Sequence, residues 1–356
     1  MSVFSSPDFD QHENVVFGYD QDSGLRAVIA IHNSNLGPAM GGCRMYPYAS
    51  ERDALRDVLR LSKGMSYKAA LAGVALGGGK SVVIGNPLKD KSRQLFEAMG
   101  RLVDTLSGKY IAAQDMGINV QDLEQMATQS EYVSGIRNRV DELGKLRTGD
   151  PSPATALGVF CGIKAALTSR LNRHELEGIR VAIQGLGHVG YHLARLLHEA
   201  GAKLWVSDIN KARESEVIRE FGAIAVNAGE LISLDVDVFC PCAMGAILND
   251  QTIATLQAKI IAGAANNQLL ESKHGANLHN KGILYAPDYV INAGGLIDLF
   301  YLDHGKPAAD VKNHVENIAN TLADIFTASK RKNLATNIIA DDMAAARFQF
   351  SYAQAS

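Results

Sequence analysis

Cysteine is scarce, with four residues in 356. That is too few for a disulfide scaffold. Cys240 and Cys242 are one residue apart, unlike the C-x-x-C pair of a metal or redox site. All four are expected to be reduced thiols in a reducing compartment, the cytoplasm. An excess of one charge is missing too. Thirty-five Lys and Arg face 38 Asp and Glu, a net charge of −3. This predicts no broad electrostatic surface for nucleic acid or an anionic membrane. No apolar run approaches the ~20 residues of a bilayer span. The segment from Met1 to Asp10 lacks the basic-then-apolar order of a secretory signal. There is no low-complexity tract or short repeat.

What remains has the texture of a globular enzyme, with 47% hydrophobic and 21% charged residues. The 33 glycines cluster, which marks places where backbone must approach something closely. The length suits two domains. Strands are expected at Leu25–His32, Ser81–Ile84 and Tyr110–Ala113, with helices at Glu51–Met65 (Ser50 as N-cap) and Arg93–Leu106. Thr148-Gly149-Asp150-Pro151-Ser152-Pro153 is a turn cluster before a long helix, about Ala154–Ser169. The boundary is placed here. Residues 1–148 and 149–329 are expected to be two α/β domains across a cleft, the first for substrate and the second, on the β-α-β unit and glycine motif that follow, a Rossmann-type dinucleotide-binding domain. C-terminal helices, about 330–356, are expected to pack back on the first. In the second domain Arg180–Gln184, Val189–Ala200 and Lys203–Ser207 read as β-α-β. Further strands at Val236–Phe239, Ile260–Ala262 and Ile283–Tyr285 indicate a parallel sheet. After Gly295 the pattern is helical nearly to the end.

Gly185-Leu186-Gly187-His188-Val189-Gly190 fits G-x-G-x-x-G. Alone the pattern is weak, and it could be a structural turn. Here it follows a strand and opens a helix, and a second strand ends at Asp208, near the ~20-residue spacing expected of a ribose-binding carboxylate. Glycines permit the tight turn and close approach to pyrophosphate, and the helix N-terminus favours anions. The charge of Asp208 would repel a 2′-phosphate, which favours NAD over NADP. Lys211 and Arg213 just beyond could assist NADP or be solvated helix residues.

Gly77-Gly78-Gly79-Lys80-Ser81 fails as a phosphate loop. G-x-x-x-x-G-K-[ST] would need glycine at Val74, and Gly73 is one residue too early. A lysine beside glycines can serve as a base when burial or a second cation lowers its proton affinity, and Lys68 is a candidate second cation. Both could instead be surface lysines. Asp115, at a strand end before Gly117, suits catalysis or a structural turn. His188 and His192 have helical i, i+4 spacing, but no third ligand is evident and no metal is expected.

Together these stretches resemble the leucine/phenylalanine/valine branch of the amino acid dehydrogenases, related more distantly to glutamate dehydrogenase and most like the leucine enzymes. The resemblance covers about Val16 to Ala345. It is carried by AIHNSNLGPAMGGCRM (30–45), KGMSYKAALAGVALGGGKSVVIGNP (63–87), AAQDMGINVQDL (112–123), GDPSPATALGV (149–159), VAIQGLGHVGYHL (181–193), CAMGAILND (242–250), IAGAANNQL (261–269) and APDYVINAGGLI (286–297). It implies NAD-dependent, reversible deamination of an apolar L-amino acid to its 2-oxo acid and ammonia by a homo-oligomer.

By this resemblance Lys80 activates water and Asp115 exchanges a proton with the amine. Lys68 pairs with the substrate carboxylate, helped by the Gly41-Gly42 backbone and Asn266. Asn292 arranges substrate and nicotinamide. Gly185, Leu186, Gly187, His188, Val189, Gly190, Asp208, Ala243 and Asn266 bind cofactor. Met40, Ala113, Leu296 and Leu299 line the side-chain pocket. All four are apolar, which opposes glutamate and favours Leu, Ile or Val. Ala113 resembles leucine-type members. Departures from the common pattern at Met40, Cys43, Ile118, Leu296 and Asp298 leave phenylalanine or tryptophan as alternatives. A non-catalytic NAD-binding regulator is a further alternative, opposed by the intact Lys68, Lys80 and Asp115.

Overall fold

The structure is a computed structural model that describes residues 3–137, 139–140, 146–147 and 150–349. Thr148 and Gly149 of the boundary turn, and residues 350–356, lie outside the described residues. The chain divides into two compact units. The first holds the chain up to Asp150, with Leu299–Gly305 and the chain from Ala344 onward. The second holds Pro151–Asp298 and Lys306–Met343. Among the described residues, no helix is long and apolar enough to cross a membrane.

The first unit is built on a five-stranded mixed sheet. Its strands are β1 (Asn14–Asp20), β2 (Leu25–Asn33), β3 (Ala39–Tyr46), β4 (Gly77–Ile84) and β5 (Tyr110–Gln114), in the order β1-β2-β4-β3-β5. β1, β2 and β4 pair antiparallel, and β3 runs parallel to both β4 and β5. Alternation along β2 feeds two cores. Ala27, Ile29 and Ile31 pack with Leu95, Phe96, Met99 and Val103 of helix α2 (Arg93–Asp104). Val28 and Ala30 pack with Ala54, Leu55, Val58 and Leu59 of helix α1 (Glu51–Ala72). Burial of each large aliphatic side chain contributes about 1.5–3 kcal/mol, so a one-residue slip of β2 would exchange both faces.

Ser50 caps α1 by accepting from the Asp53 amide. The helix continues past the expected Met65 to Ala72, because no breaker intervenes before Gly73. There the backbone turns left-handed at φ 69° and its amide caps the carbonyls of Ala69 and Ala70. The strand expected at Ser81 starts already at Gly77, so Lys80 stands inside a strand. β1 and β3 were not among the expected strands. A short helix, α3 (Val120–Ala127), follows β5 with Asn119 in a capping box with Asp122. At the other end of the chain, Arg347 donates to the carbonyls of Ala70 and Leu71 at 2.7 and 3.2 Å, and the Phe348 carbonyl accepts from Asn35 at 3.0 Å. These bonds tie the chain end to the first unit.

The second unit opens with helix α4 (Ser152–Leu171) and holds a six-stranded sheet whose neighbours all pair parallel. Its strands are β6 (Arg180–Gln184), β7 (Lys203–Ser207), β8 (Ile224–Ala225), β9 (Val238–Pro241), β10 (Ile260–Ile261) and β11 (Leu284–Tyr285), in the order β8-β7-β6-β9-β10-β11. Helix α5 (His188–Glu199) links β6 to β7, and α6 (Lys211–Phe221) follows β7. The order reverses beside β6, the position where doubly wound sheets bind ligands at their strand ends.

Candidate active site

In the first unit the sheet assembles a buried ionic cluster. Lys80 on β4 is only 6% exposed. Its Nζ lies 2.6 Å from Asp115 Oδ2, at the residue that follows β5. The same oxygen accepts from Arg44 Nε at 3.0 Å. Burial opposes charge on Asp115, but Lys80 and Arg44, with the Met116 amide, outweigh it and hold the carboxyl down at about 2. Asp115 is 20% exposed, and a carboxylate so far withdrawn from water is tolerated only because it is paired. Removing one partner of such a pair costs roughly 3–5 kcal/mol.

The glycines explain how the cluster fits. A methyl on Gly42 would lie 2.6 Å from the Asp115 Cβ, so the bare backbone there makes room for the carboxylate. The Gly41 carbonyl accepts from the Tyr110 hydroxyl at 2.7 Å. A methyl on Gly78 would collide with the Ser66 backbone of α1. Ser66 therefore seats directly on the strand, and the turn of α1 that bears Lys68 lies against the stretch of β4 leading to Lys80. Met40 pairs with Gly78 and Ile111 across the sheet, and Gly42 with Ala113. Met40 and Ala113 are buried at 3% and 4%. Leu299 also belongs to this unit, where a methyl on Gly135 would meet its Cδ2 at 3.7 Å. Leu296 is buried and belongs to the second unit, although it shares the helix Gly294–Asp303.

In the second unit the glycine turn closes between β6 and α5. Gly185 has φ 96°, its amide donates to the Ser207 carbonyl at 2.8 Å, and a methyl there would lie 2.7 Å from Ala243 Cβ. A methyl on Gly190 would run into the Gly185 carbonyl. The side of Gly187 is open, since a methyl there would meet only Arg213 Nη1, at 3.8 Å. α5 then begins at His188 and Val189 with no side-chain cap on its amides. Asp208 Oδ2 accepts from the Leu186 amide at 2.5 Å and Oδ1 from the Asn210 amide at 2.6 Å. Lys211 is tied to Glu214 at 2.9 Å.

Residues 11–132 match the family described as Glu/Leu/Phe/Val dehydrogenase, dimerisation domain, and residues 149–340 match Glutamate/Leucine/Phenylalanine/Valine dehydrogenase. The chain belongs to the Glu/Leu/Phe/Val dehydrogenase family. It is 48% identical to leucine dehydrogenase of Geobacillus stearothermophilus over 98% of this chain and 94% of that one. It is also 48% identical to L-tryptophan dehydrogenase of Nostoc punctiforme, over 96% of this chain and 94% of that one. The crystal structure of L-tryptophan dehydrogenase from Nostoc punctiforme superposes with a TM-score of 0.82 at 46% identity, covering 96% of this chain and 97% of that one.

Dehydrogenases of this family use a nicotinamide cofactor, and the second unit of this amino acid dehydrogenase fits one. Gly187 leaves an open approach beside the uncapped amides of α5, which suits a diphosphate. Asn292 Nδ2 donates to Asn266 Oδ1 at 2.7 Å and to the Ala264 carbonyl at 3.0 Å. Its Oδ1 is buried and accepts nothing from the described residues. An orphaned buried acceptor costs about 1–3 kcal/mol, and a carboxamide or amine donor would satisfy it.

Three groups in the first unit were missed by sequence reasoning, namely Arg44 with its partners Asp57 and Tyr48. Arg44 lies four residues beyond Met40 in a glycine-rich stretch, and no spacing rule links it to Asp115 or Asp57. In the second unit Ile209, fully exposed beside Asp208, was also passed over. Its exposure is visible only in the structure, and the sequence offered no more than its place directly after Asp208.

Proposed function

We propose that this amino acid dehydrogenase deaminates an apolar L-amino acid oxidatively and reversibly, with NAD as acceptor and Lys80 and Asp115 as its acid–base pair. The buried Lys80–Asp115 contact at 2.6 Å carries this reading. NAD, when bound, supplies a nicotinamide that takes hydride from the substrate α-carbon. Gly185, Leu186, Gly187, His188, Val189, Gly190, Ala243 and Asn266 would hold it, with Asp208 at the adenosine ribose. The charge of Asp208 supports NAD over NADP.

Lys68, with the Gly41-Gly42 backbone, holds the substrate carboxylate. As the α-carbon loses hydride, the nitrogen lone pair forms the C=N bond of an imine. Lys80 passes its proton to Asp115 and then takes the proton of the water that adds to that carbon. Asp115 gives its proton to the amine nitrogen, and as the C–N bond breaks and ammonia leaves, the new hydroxyl becomes C=O and its proton returns to Asp115. Asn292, with its buried acceptor, orients substrate and nicotinamide.

Met40, Ala113 and Leu299 of the first unit are apolar, as is Leu296 of the second, and this supports Leu, Ile or Val. A second reading, an aromatic substrate, is favoured by equal identity to the tryptophan enzyme and by the flexibility of Met40. A homo-oligomer is supported by the matched dimerisation domain. It is also supported by edge strand β1, where Phe17 and Tyr19 are 59% and 73% exposed. Four free thiols support the cytoplasm.

A panel assay of NADH formation tests the reading. Highest kcat/KM is expected with Leu, Ile or Val, and Ala113→Gly should move preference toward Phe. Phe or Trp as best wild-type substrate would establish the second reading. Glu as best substrate would overturn the pocket.

A further inference from the structure

We propose that Arg44 is a positioning residue for Asp115, held in place by Asp57 and Tyr48. This rests on the reading of Asp115 as the group that exchanges a proton with the substrate amine. Arg44 lies on β3 one step beyond Cys43, which pairs with Gln114, so the register sets it beside Asp115. Its guanidinium bridges two carboxylates. Nε donates to Asp115 Oδ2 at 3.0 Å, and Nη1 donates to Asp57 Oδ2 on α1 at 2.9 Å. The Tyr48 hydroxyl donates to that same Asp57 oxygen at 2.5 Å. A planar fork with two fixed bonds holds direction as well as charge, which a lysine ammonium cannot do equally.

The surroundings give this arrangement a chemical purpose. Without Arg44, Lys80, on a long flexible stem, is the side chain left on Asp115 beside the Met116 amide. Arg44 supplies the second direction, so the carboxylate is fixed in the plane where it meets both Lys80 and an incoming amine. Arg44 is itself only 16% exposed, and Asp57 and Asp115 together outweigh the burial that opposes its charge. The titratable groups facing Asp115 are Lys80 on β4, Arg44 and Cys43 on β3 and Tyr110 on β5, with Asp57 and Tyr48 behind Arg44. Burial pushes the Cys43 thiol up to about 12 and raises Tyr110 and Tyr48, so these three stay neutral. Removing the guanidinium then leaves Lys80 as the cation beside Asp115, and its carboxyl takes up a proton at higher pH.

The test compares Arg44→Met, Arg44→Lys, Asp57→Asn, Tyr48→Phe and Asp115→Asn as full-length enzymes, by circular dichroism, kcat, KM and the pH profile of kcat/KM. Arg44→Met is expected to lower kcat by about ten- to a hundredfold, with the KM for NAD nearly unchanged. The acid limb of its profile should move to higher pH. Arg44→Lys should recover part of kcat and move the limb back. A folded Arg44→Met enzyme with wild-type kcat and acid limb would overturn the proposal. So would loss of activity with an unmoved limb and no recovery in Arg44→Lys, the signature of a merely structural role. If Arg44→Met does not fold, Asp57→Asn and Tyr48→Phe decide. Each should lower kcat severalfold at nearly constant amino acid KM, and wild-type kcat in both would overturn the proposal. Asp115→Asn separates the two layers. Full turnover in that variant sinks the reading of Asp115 itself, whereas an inactive Asp115→Asn beside an unimpaired Arg44→Met sinks only the positioning role.

Discussion

Ser66 occupies the space that a side chain at Gly78 would need. Helix α1 thus packs at backbone distance on the strand that carries Lys80. Gly78→Ala is expected to cost about 1–3 kcal/mol through overpacking and to lower kcat by displacing that helix turn. Gly64→Ala is the contrast. It sits within the same helix, and a methyl there meets nothing within 4 Å. It should stabilise by about 0.5–1 kcal/mol. Thermal unfolding of both variants checks the pair, and equal Tm values would contradict it.

Lys80→Ala is expected to cut turnover by about 10²–10⁴-fold, while NADH fluorescence titration gives nearly wild-type affinity. Asp115→Asn should also remove most turnover, because an amide cannot carry the proton. Near-normal turnover in Lys80→Ala would end its assignment as base.

Acid stability should depend on His32. Burial, reinforced by His12, pulls this imidazole down to about 4 from 6.5, against the pull of Asp10. The folded state therefore disfavours the imidazolium, whereas the unfolded chain binds a proton near 6.5. The stabilisation is complete above pH 6.5 and is lost as pH falls toward 4, a change of roughly 3 kcal/mol. His12, Asp10, Lys63 and the Ser66 hydroxyl face or pair with this cluster, and His12 is lowered by burial in the same direction. Denaturant midpoints measured from pH 7 to 4 should fall steeply in the wild type and less steeply in His32→Gln. Parallel curves would refute this account.

Cofactor choice should follow Asp208. The wild type is expected to use NAD far better than NADP, and Asp208→Ser should narrow the ratio of kcat/KM values. Equal use of both cofactors by the wild-type enzyme would count against a ribose-binding role for Asp208.

The sequence by itself determined the parts that are local. The β6–α5–β7 unit was legible because its signals are period, glycine spacing and a carboxylate at fixed distance, all set by neighbours along the chain. Gly185, Gly187, Gly190 and Asp208 could be named for the same reason. The failed phosphate-loop spacing correctly removed GGGKS from the triphosphate-binding loops. What that segment is instead was decided only in three dimensions. It is a strand in the middle of a mixed sheet, with β2 on one side and β3 on the other, and Gly77, Gly78 and Gly79 are bare because Asn33, Ser66 and Tyr110 press on them. β3 escaped notice because Gly41 and Gly42 carry no side-chain pattern to read. Local sequence also left Asp115 undecided between turn and site. Its partners come from β4 and β3, 35 and 71 residues away in the chain for Lys80 and Arg44. Pairing across parallel strands is a property of register between distant segments, and no local spacing encodes it. The Arg44–Asp57–Tyr48 support belongs to the same class, since a strand, a loop and a helix meet there only after the sheet has formed.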